Sequence, residues 1–335
     1  MRATIMTRPV IHIGYHKTAT SWFQRHFYPE VRNRRYVPRK LAKATLVNPS
    51  ALRFDPQAAR QALGANEGLI ICEEALCGHY ENAGLNGCLS KDIAHRIQST
   101  YPDARIVVFI RRQPDIIKAA YLQYLRRGGT FSAKRFIFPY HYERHVDHKR
   151  FKRPMFDLDH FDYRPLIRHY QTLFGAESVH VFPFEAFLAD ADTFLDDYTK
   201  RLDLDVDLRH LNRRPANVSY RSATALLARV VNHFGVSDVS QRGCALPVIP
   251  KSLRIHTMEA WNRSPLAGRK LTLERLIGAQ LAQQVARHYE AANTDLALML
   301  GLPLAELGYP VADSASTSAV TGESTASRPS PEATP

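Results

Sequence analysis

The sequence predicts an α/β protein of three layers, a central and mostly parallel sheet between two layers of helices, with further helices added late in the chain. Three observations carry this. Short apolar runs at residues 10–13, 68–72 and 105–110 have the continuous hydrophobicity of strands buried on both faces. A stretch of helical character follows the first and third of these runs and lies beyond the second. A fourth run, 179–182, lies between two more such stretches. Alternating strands and helices with right-handed crossovers build a parallel sheet, and ligands of such sheets sit at the carboxyl ends of the strands. The loops expected to matter are those after Ile13, Cys72 and Ile110.

In chain order, the first strand passes through a turn opening at Gly14 into a helix beginning near Ala19. Residues 32–39 read as basic and irregular. Alanines favour a helix over 56–63. Gly68 bounds the second strand, and Ser90 is expected to cap a helix through Ile97 that ends before Pro102. The β-branched and aromatic run 105–110 is the clearest strand. Its helix, 115–127, sets Ile117, Ala120, Tyr121 and Tyr124 along one face and stops at Gly128-Gly129. Over 128–155 the periodicity dissolves: Lys134, Arg135, Lys149, Arg150, Lys152 and Arg153, with three histidines, alternate with aromatics. A loop of that length in a compact domain is functional or disordered, and its aromatics argue against disorder. A basic, aromatic substrate flap is expected there.

Helices are expected at 163–174 and 191–202, on either side of the fourth strand. A basic loop, 213–219, leads into a helix over 222–233, and 242–254 reads as irregular. A strongly periodic helix over 271–289 carries the stripe Leu273, Leu276, Ile277, Leu281, Val285 and Tyr289. Asn293 is expected to cap a short last helix ending near Gly301. From Ala312 the chain is Ser, Thr, Ala, Pro and Glu with no aromatic residue. The sequence thus predicts one folded domain, 1–311, and a disordered tail, 312–335.

Lys and Arg exceed Asp and Glu by 45 to 32, a net charge of +13 over 335 residues. Such a balance predicts an acidic partner: a nucleotide, an anionic polysaccharide, nucleic acid or a membrane surface. No nucleic-acid motif accompanies the charge, so nucleic acid is not expected. No apolar run approaches the roughly 18 residues of a membrane span, and the residues before Val10 are too few for a signal sequence. The expectation is a cytoplasmic protein with at most peripheral membrane contact. Cys72, Cys77, Cys88 and Cys244 form no Cys-x-x-Cys pair and no zinc spacing with histidines, which predicts reduced thiols and no metal. Oligomeric state has no signature in the sequence.

The chemistry concentrates in the first turn, Gly14-Tyr15-His16-Lys17-Thr18-Ala19-Thr20-Ser21-Trp22. Amide groups at a helix start and the positive end of its dipole attract anions. Lys17 adds a point charge, and Thr18, Thr20 and Ser21 add donors for phosphate or sulfate oxygens. The nucleotide-triphosphate loop needs a second glycine just before its lysine, and none is present here. A second basic element, Arg111-Arg112-Gln113-Pro114, follows the strand ending at Ile110, with Arg112 placed 95 residues after Lys17.

The run Gly-x-x-Lys-Thr-x-Thr-Ser closely resembles the 5′-phosphosulfate loop of sulfotransferases that use 3′-phosphoadenosine-5′-phosphosulfate (PAPS). Arg112-Gln113-Pro114 resembles the Arg-x-Pro that ends a strand in that family, whose arginine grips the cofactor 3′-phosphate. The segment from Arg213 to Ser219 resembles the late basic loop that closes over the nucleotide in bacterial carbohydrate sulfotransferases. The resemblance spans roughly 8–301 and implies a P-loop NTPase-like sulfotransferase fold. It implies PAPS as co-substrate, held by Gly14, Tyr15, His16, Lys17, Thr18, Ala19, Thr20, Ser21, Trp22, Arg111, Arg112, Ala120, Asn217 and Ser219, without a metal. This chain departs from the family where a serine usually binds the 3′-phosphate, eight residues after the arginine. Ala119 and Ala120 stand at the possible positions. Either Arg111 and the loop ending at Ser219 compensate, or cofactor affinity is reduced.

Sulfuryl transfer is an in-line displacement carried mostly by positioning and electrostatics. Lys17 is the expected cation at the leaving oxygen, and His16 could assist. A general base for the acceptor hydroxyl is expected after the second strand, where the choices are Glu73, Glu74 and His79. Glu74 matches best in Cys-Glu-Glu-Ala-Leu-Cys-Gly, which in bacterial relatives tends to read Ser-x-Glu-x-Leu-Ser-Gly. The expected acceptor is a small molecule or glycan, with arginines suited to anionic groups and aromatics to sugar faces. Three other readings remain: a nucleotide-dependent kinase, a non-catalytic binder of nucleic acid or anionic polymers, and a sulfotransferase-like fold without activity.

Overall fold

Five strands form one wholly parallel sheet: β1 (Val10–His12), β2 (Arg35–Tyr36), β3 (Leu69–Cys72), β4 (Arg105–Ile110) and β5 (Val179–Pro183). Their order across the sheet is β2-β3-β1-β4-β5. β1 lies at the centre, with His12 in register with Cys72 on one side and Val107 on the other. The loops after β1, β3 and β4 therefore emerge side by side from one edge. This is the expected α/β class, seen in a computed structural model that describes residues 7–64, 68–80, 87–139, 156–212, 219–237, 239 and 242–312.

The pleat sorts the strand side chains onto two faces. Ile11, Leu69, Ile71, Ile106, Val108 and Ile110 enter one core with the helices Cys88–Thr100, Gln113–Arg127, Tyr163–Phe174 and Ala279–Leu300. Val10, Ile70, Cys72, Val107 and Phe109 enter another, filled by Trp22, Phe23, Phe27, Tyr28, Leu195, Tyr198 and Leu202. Strands with both faces covered have no polar face, which is why their sequences are continuously apolar.

Several elements differ from expectation. β2 lies inside the stretch read as irregular. It is two residues long, pairs only with β3, and carries no apolar pattern to announce it. The helix after β1 is α-helical only over Thr20–Trp22, then widens to a π turn over Phe23–Phe27 and tightens over Tyr28–Glu30. Phe23, Phe27 and Tyr28 are all fully buried in that run. Ser90 is not a cap: the helix Cys88–Thr100 starts behind Gly87, and the Ser90 hydroxyl donates to the Cys77 carbonyl at 2.9 Å. Lys251–Arg263 is a helix that begins within the stretch read as irregular.

The periodic helix expected over 271–289 is broken. Gly278, at φ 92°, separates Leu273–Ile277 from Ala279–Leu300, because a left-handed backbone cannot continue a helix and glycine adopts it without strain. Asn293 caps nothing. It lies buried inside Ala279–Leu300, donates to Gln113 Oε1 at 3.0 Å and to the Pro310 carbonyl at 2.7 Å, and accepts from Gln113 Nε2 at 2.8 Å. This amide pair ties the last helix to the first turn of Gln113–Arg127.

In the stretch expected as a flap, Ala133–Ile137 forms a short helix capped by Ser132, with Phe136 and Ile137 buried. Residues 140–155 and the tail from 313 lie outside the described residues. Among the described residues, no helix is long and apolar enough to cross a membrane.

Candidate active site

The turn after β1 is shaped by three local constraints. The Ile13 and Tyr15 amides still donate to β4, at Val107 and Phe109. The chain then turns through left-handed backbone at two non-glycine residues, Lys17 (φ 70°) and Ala19 (φ 63°). Each costs about 1 kcal/mol, and such strain clusters at ligand sites. The Thr18 hydroxyl is not a spare donor: it donates to the Tyr15 carbonyl at 2.5 Å and closes the turn. Thr20 Oγ1 is the contrary case, buried with no hydrogen-bond partner among the described residues. Ser21 is half-buried.

Gly14 is required by the side chain of His12. His12 is fully buried, shares a hydrogen bond with the Tyr28 hydroxyl at 2.7 Å and stacks on Phe109 at 4.9 Å. Burial pushes its pKa down to about 3, so the ring is neutral. A Cβ at Gly14 would lie 2.4 Å from His12 Nε2. That ring is packed on all sides and has nowhere to move. Gly14→Ala is therefore expected to destabilise the fold by about 1–3 kcal/mol, the usual cost of overpacking. Chemical denaturation measures this, and a variant as stable as the parent would refute the role given to His12.

The turn is strongly electropositive. Burial pushes the Lys17 ammonium down to about 8, and Arg126, Arg111 and Arg127 push the same way while Glu74 opposes them. Arg111 Nη1 donates to the Lys17 carbonyl at 2.7 Å, its guanidinium lies 4.9 Å from the centre of the Phe184 ring, and its Nε is buried without a partner among the described residues. Arg126 and Arg127 come from the last turn of Gln113–Arg127. Neither was a sequence candidate. Their only mark in sequence was their place just before Gly128-Gly129. Arg112 faces differently: it pairs with Asp115 at 2.7 Å and lies 3.6 Å from Glu185. The structure thus sets Arg111 against the turn and leaves Arg112 in a carboxylate network.

After β3 the two adjacent glutamates separate. Glu73 is fully buried, accepts from the Ala75 amide at 3.1 Å and is gripped by Arg39, so it caps the short turn Glu74–Cys77. Glu74 is half-buried, meets Arg39 at 2.9 Å, and its charge and that of Lys17 act on each other. Burial raises its pKa, with Arg39 pulling back. His16 is buried and its ring lies 5.2 Å from that of His79. Burial first, and His79 second, hold His16 neutral.

The side chains of the other residues expected around the nucleotide are placed as follows. Tyr15 packs edge-on against Tyr163, and Ala120 is buried on the core side of the helix Gln113–Arg127. Trp22 is buried in the opposite core, and its indole N–H donates to the Asn212 carbonyl at 2.7 Å. Ser219 is exposed, with its carbonyl bound by Asn262 at 3.1 Å. Asn217 lies outside the described residues.

No protein-family model matches this chain, and no curated protein matches it. Among solved structures it is similar to a sulfotransferase from Alicyclobacillus acidocaldarius, with 20% sequence identity over 67% of this chain and 94% of the other, at a TM-score of 0.44.

Proposed function

We propose that the protein is a sulfotransferase that moves the sulfuryl group of PAPS to an acceptor hydroxyl on a carbohydrate or glycolipid. The observation that carries this reading is the convergence of Lys17, Arg111 and the unpartnered Thr20 hydroxyl on one strained turn at the carboxyl edge of a parallel sheet. Two cations and an unsatisfied buried donor suit a phosphosulfate, whose oxygens accept several charge-assisted hydrogen bonds at once. Lys17 steadies the charge that grows on the 5′-phosphate oxygen as the sulfur–oxygen bond to it breaks. Glu74 takes the proton of the acceptor hydroxyl as that oxygen bonds to sulfur. Glu73 holds Arg39, and Arg39 in turn orients Glu74. The Arg-x-Pro resemblance assigns the 3′-phosphate to Arg112. On that assignment the guanidinium exchanges Asp115 and Glu185 for phosphate.

Calorimetry with the desulfated product, 3′-phosphoadenosine-5′-phosphate, tests the reading. The expected result is binding with a Kd on the order of micromolar, about 8 kcal/mol, that ATP and duplex DNA do not match. Tighter binding of either competitor, with no response to the product, would leave an anion binder or a kinase in its place.

A further inference from the structure

We propose that His16, Cys77 and His160 form a binding site for a transition-metal ion of the zinc class, beside the proposed nucleotide turn. One donor atom from each of the three lies within 4.8 Å of the other two. They come from separate parts of the chain, the turn after β1, the turn after β3, and the segment before the helix Tyr163–Phe174. The side chains are buried, with His16 7%, Cys77 0% and His160 8% exposed. His16 Nδ1 and His160 Nε2 are enclosed, and neither meets a hydrogen-bond partner among the described residues. Buried polar atoms are nearly always satisfied, and two orphaned imidazole nitrogens beside one sulfur call for a shared ligand.

The chemistry of the donors fits a metal. Imidazole nitrogens and a cysteine sulfur are the donors that zinc-class ions take, and the two enclosed nitrogens face that sulfur. The Cys77 thiol donates to the Glu74 carbonyl at 3.0 Å, a contact that a bound ion would replace. Binding breaks the S–H bond, forms a sulfur–metal bond and sends one proton to solvent. Two nitrogens and one sulfur select zinc or cobalt over magnesium and calcium, which take oxygen ligands. A cavity of about 550 Å³ reaches Cys77 and His160, and Asp157, Asp159 and Asp162 line it, which favours entry of a cation. Cavity water would complete the coordination, or His79, whose ring stands 5.2 Å from that of His16. A bound ion would pin His16, the neighbour of Lys17, to the loop carrying Glu74. This site does not depend on the sulfotransferase reading.

Cobalt(II) titration of the chelator-treated full-length protein, followed by absorption, tests it. Saturation at one equivalent with a thiolate-to-cobalt charge-transfer band, bleached by zinc, is expected. Cys77→Ser should abolish that band, and His160→Ala should weaken binding by at least roughly tenfold, the lower end for disturbed metal sites. The double variant Cys88→Ser/Cys244→Ser, which removes the two exposed thiols, should keep the band. Absence of the band in the parent protein, its persistence in Cys77→Ser, or its loss in the double variant would each overturn the proposal. The parent and the double variant decide the matter even if Cys77→Ser does not fold.

Discussion

Replacing Glu74 by glutamine is expected to lower turnover by about two to four orders of magnitude, the usual contribution of a general base. Binding of 3′-phosphoadenosine-5′-phosphate should hold or tighten, because the carboxylate that opposes the cations at Lys17 is gone. The two responses distinguish a lost base from a damaged fold, which would weaken both. Glu73→Gln has a different signature. That carboxylate caps a turn and holds Arg39, so its loss should lower stability by about 1–3 kcal/mol as a buried hydrogen-bond network is broken. Undiminished turnover in Glu74→Gln, with folding intact, would transfer the role of base to His79.

Lys17→Ala should weaken binding of the same nucleotide by about 2 kcal/mol, or roughly thirtyfold, as one charge-assisted contact is lost. On the proposed mechanism turnover should fall further, because there the ammonium would act most strongly on charge that appears only in the transition state. The pH dependence has a definite sign. In the unliganded protein Lys17 loses its proton near pH 8, so affinity should be full below that value and decline above it. Glu74 works the other way: its pKa is raised, and it accepts a proton only once ionised, so turnover should climb with pH on the acid side. A bell-shaped profile follows, with the alkaline limb assigned to Lys17. An alkaline limb that survives in Lys17→Ala would remove that assignment.

The apolar runs were legible because a strand buried on both faces is apolar at most positions, with only His12, Arg105 and His180 interrupting β1, β4 and β5. β1, β3, β4 and β5 declare themselves in that way. The turn at Gly14 was legible for a similar reason, since its glycine, lysine and hydroxyls are adjacent in sequence. Glu73 and Glu74 were visible as a pair but could not be sorted, because Arg39, distant in sequence, meets both, and what separates them is the depth to which each is buried and the Ala75 amide that Glu73 alone accepts. The reading of Asn293 as a cap fell to a contact with Gln113, 180 residues distant.

The sequence by itself determined a parallel sheet, the edge from which the loops after its strands emerge, and a first turn that gathers a glycine, a lysine and hydroxyls, since each rests on residues that are neighbours in the chain. Only the tertiary structure decided which cations meet Lys17, which arginine is tied up by carboxylates, and that His16, Cys77 and His160 face one another. Spacings of 61 and 83 residues between those three match no motif. His16 and Cys77 come together because β3 lies beside the central β1, so that their turns leave the sheet at the same edge, and the segment before the helix Tyr163–Phe174 brings His160 against them.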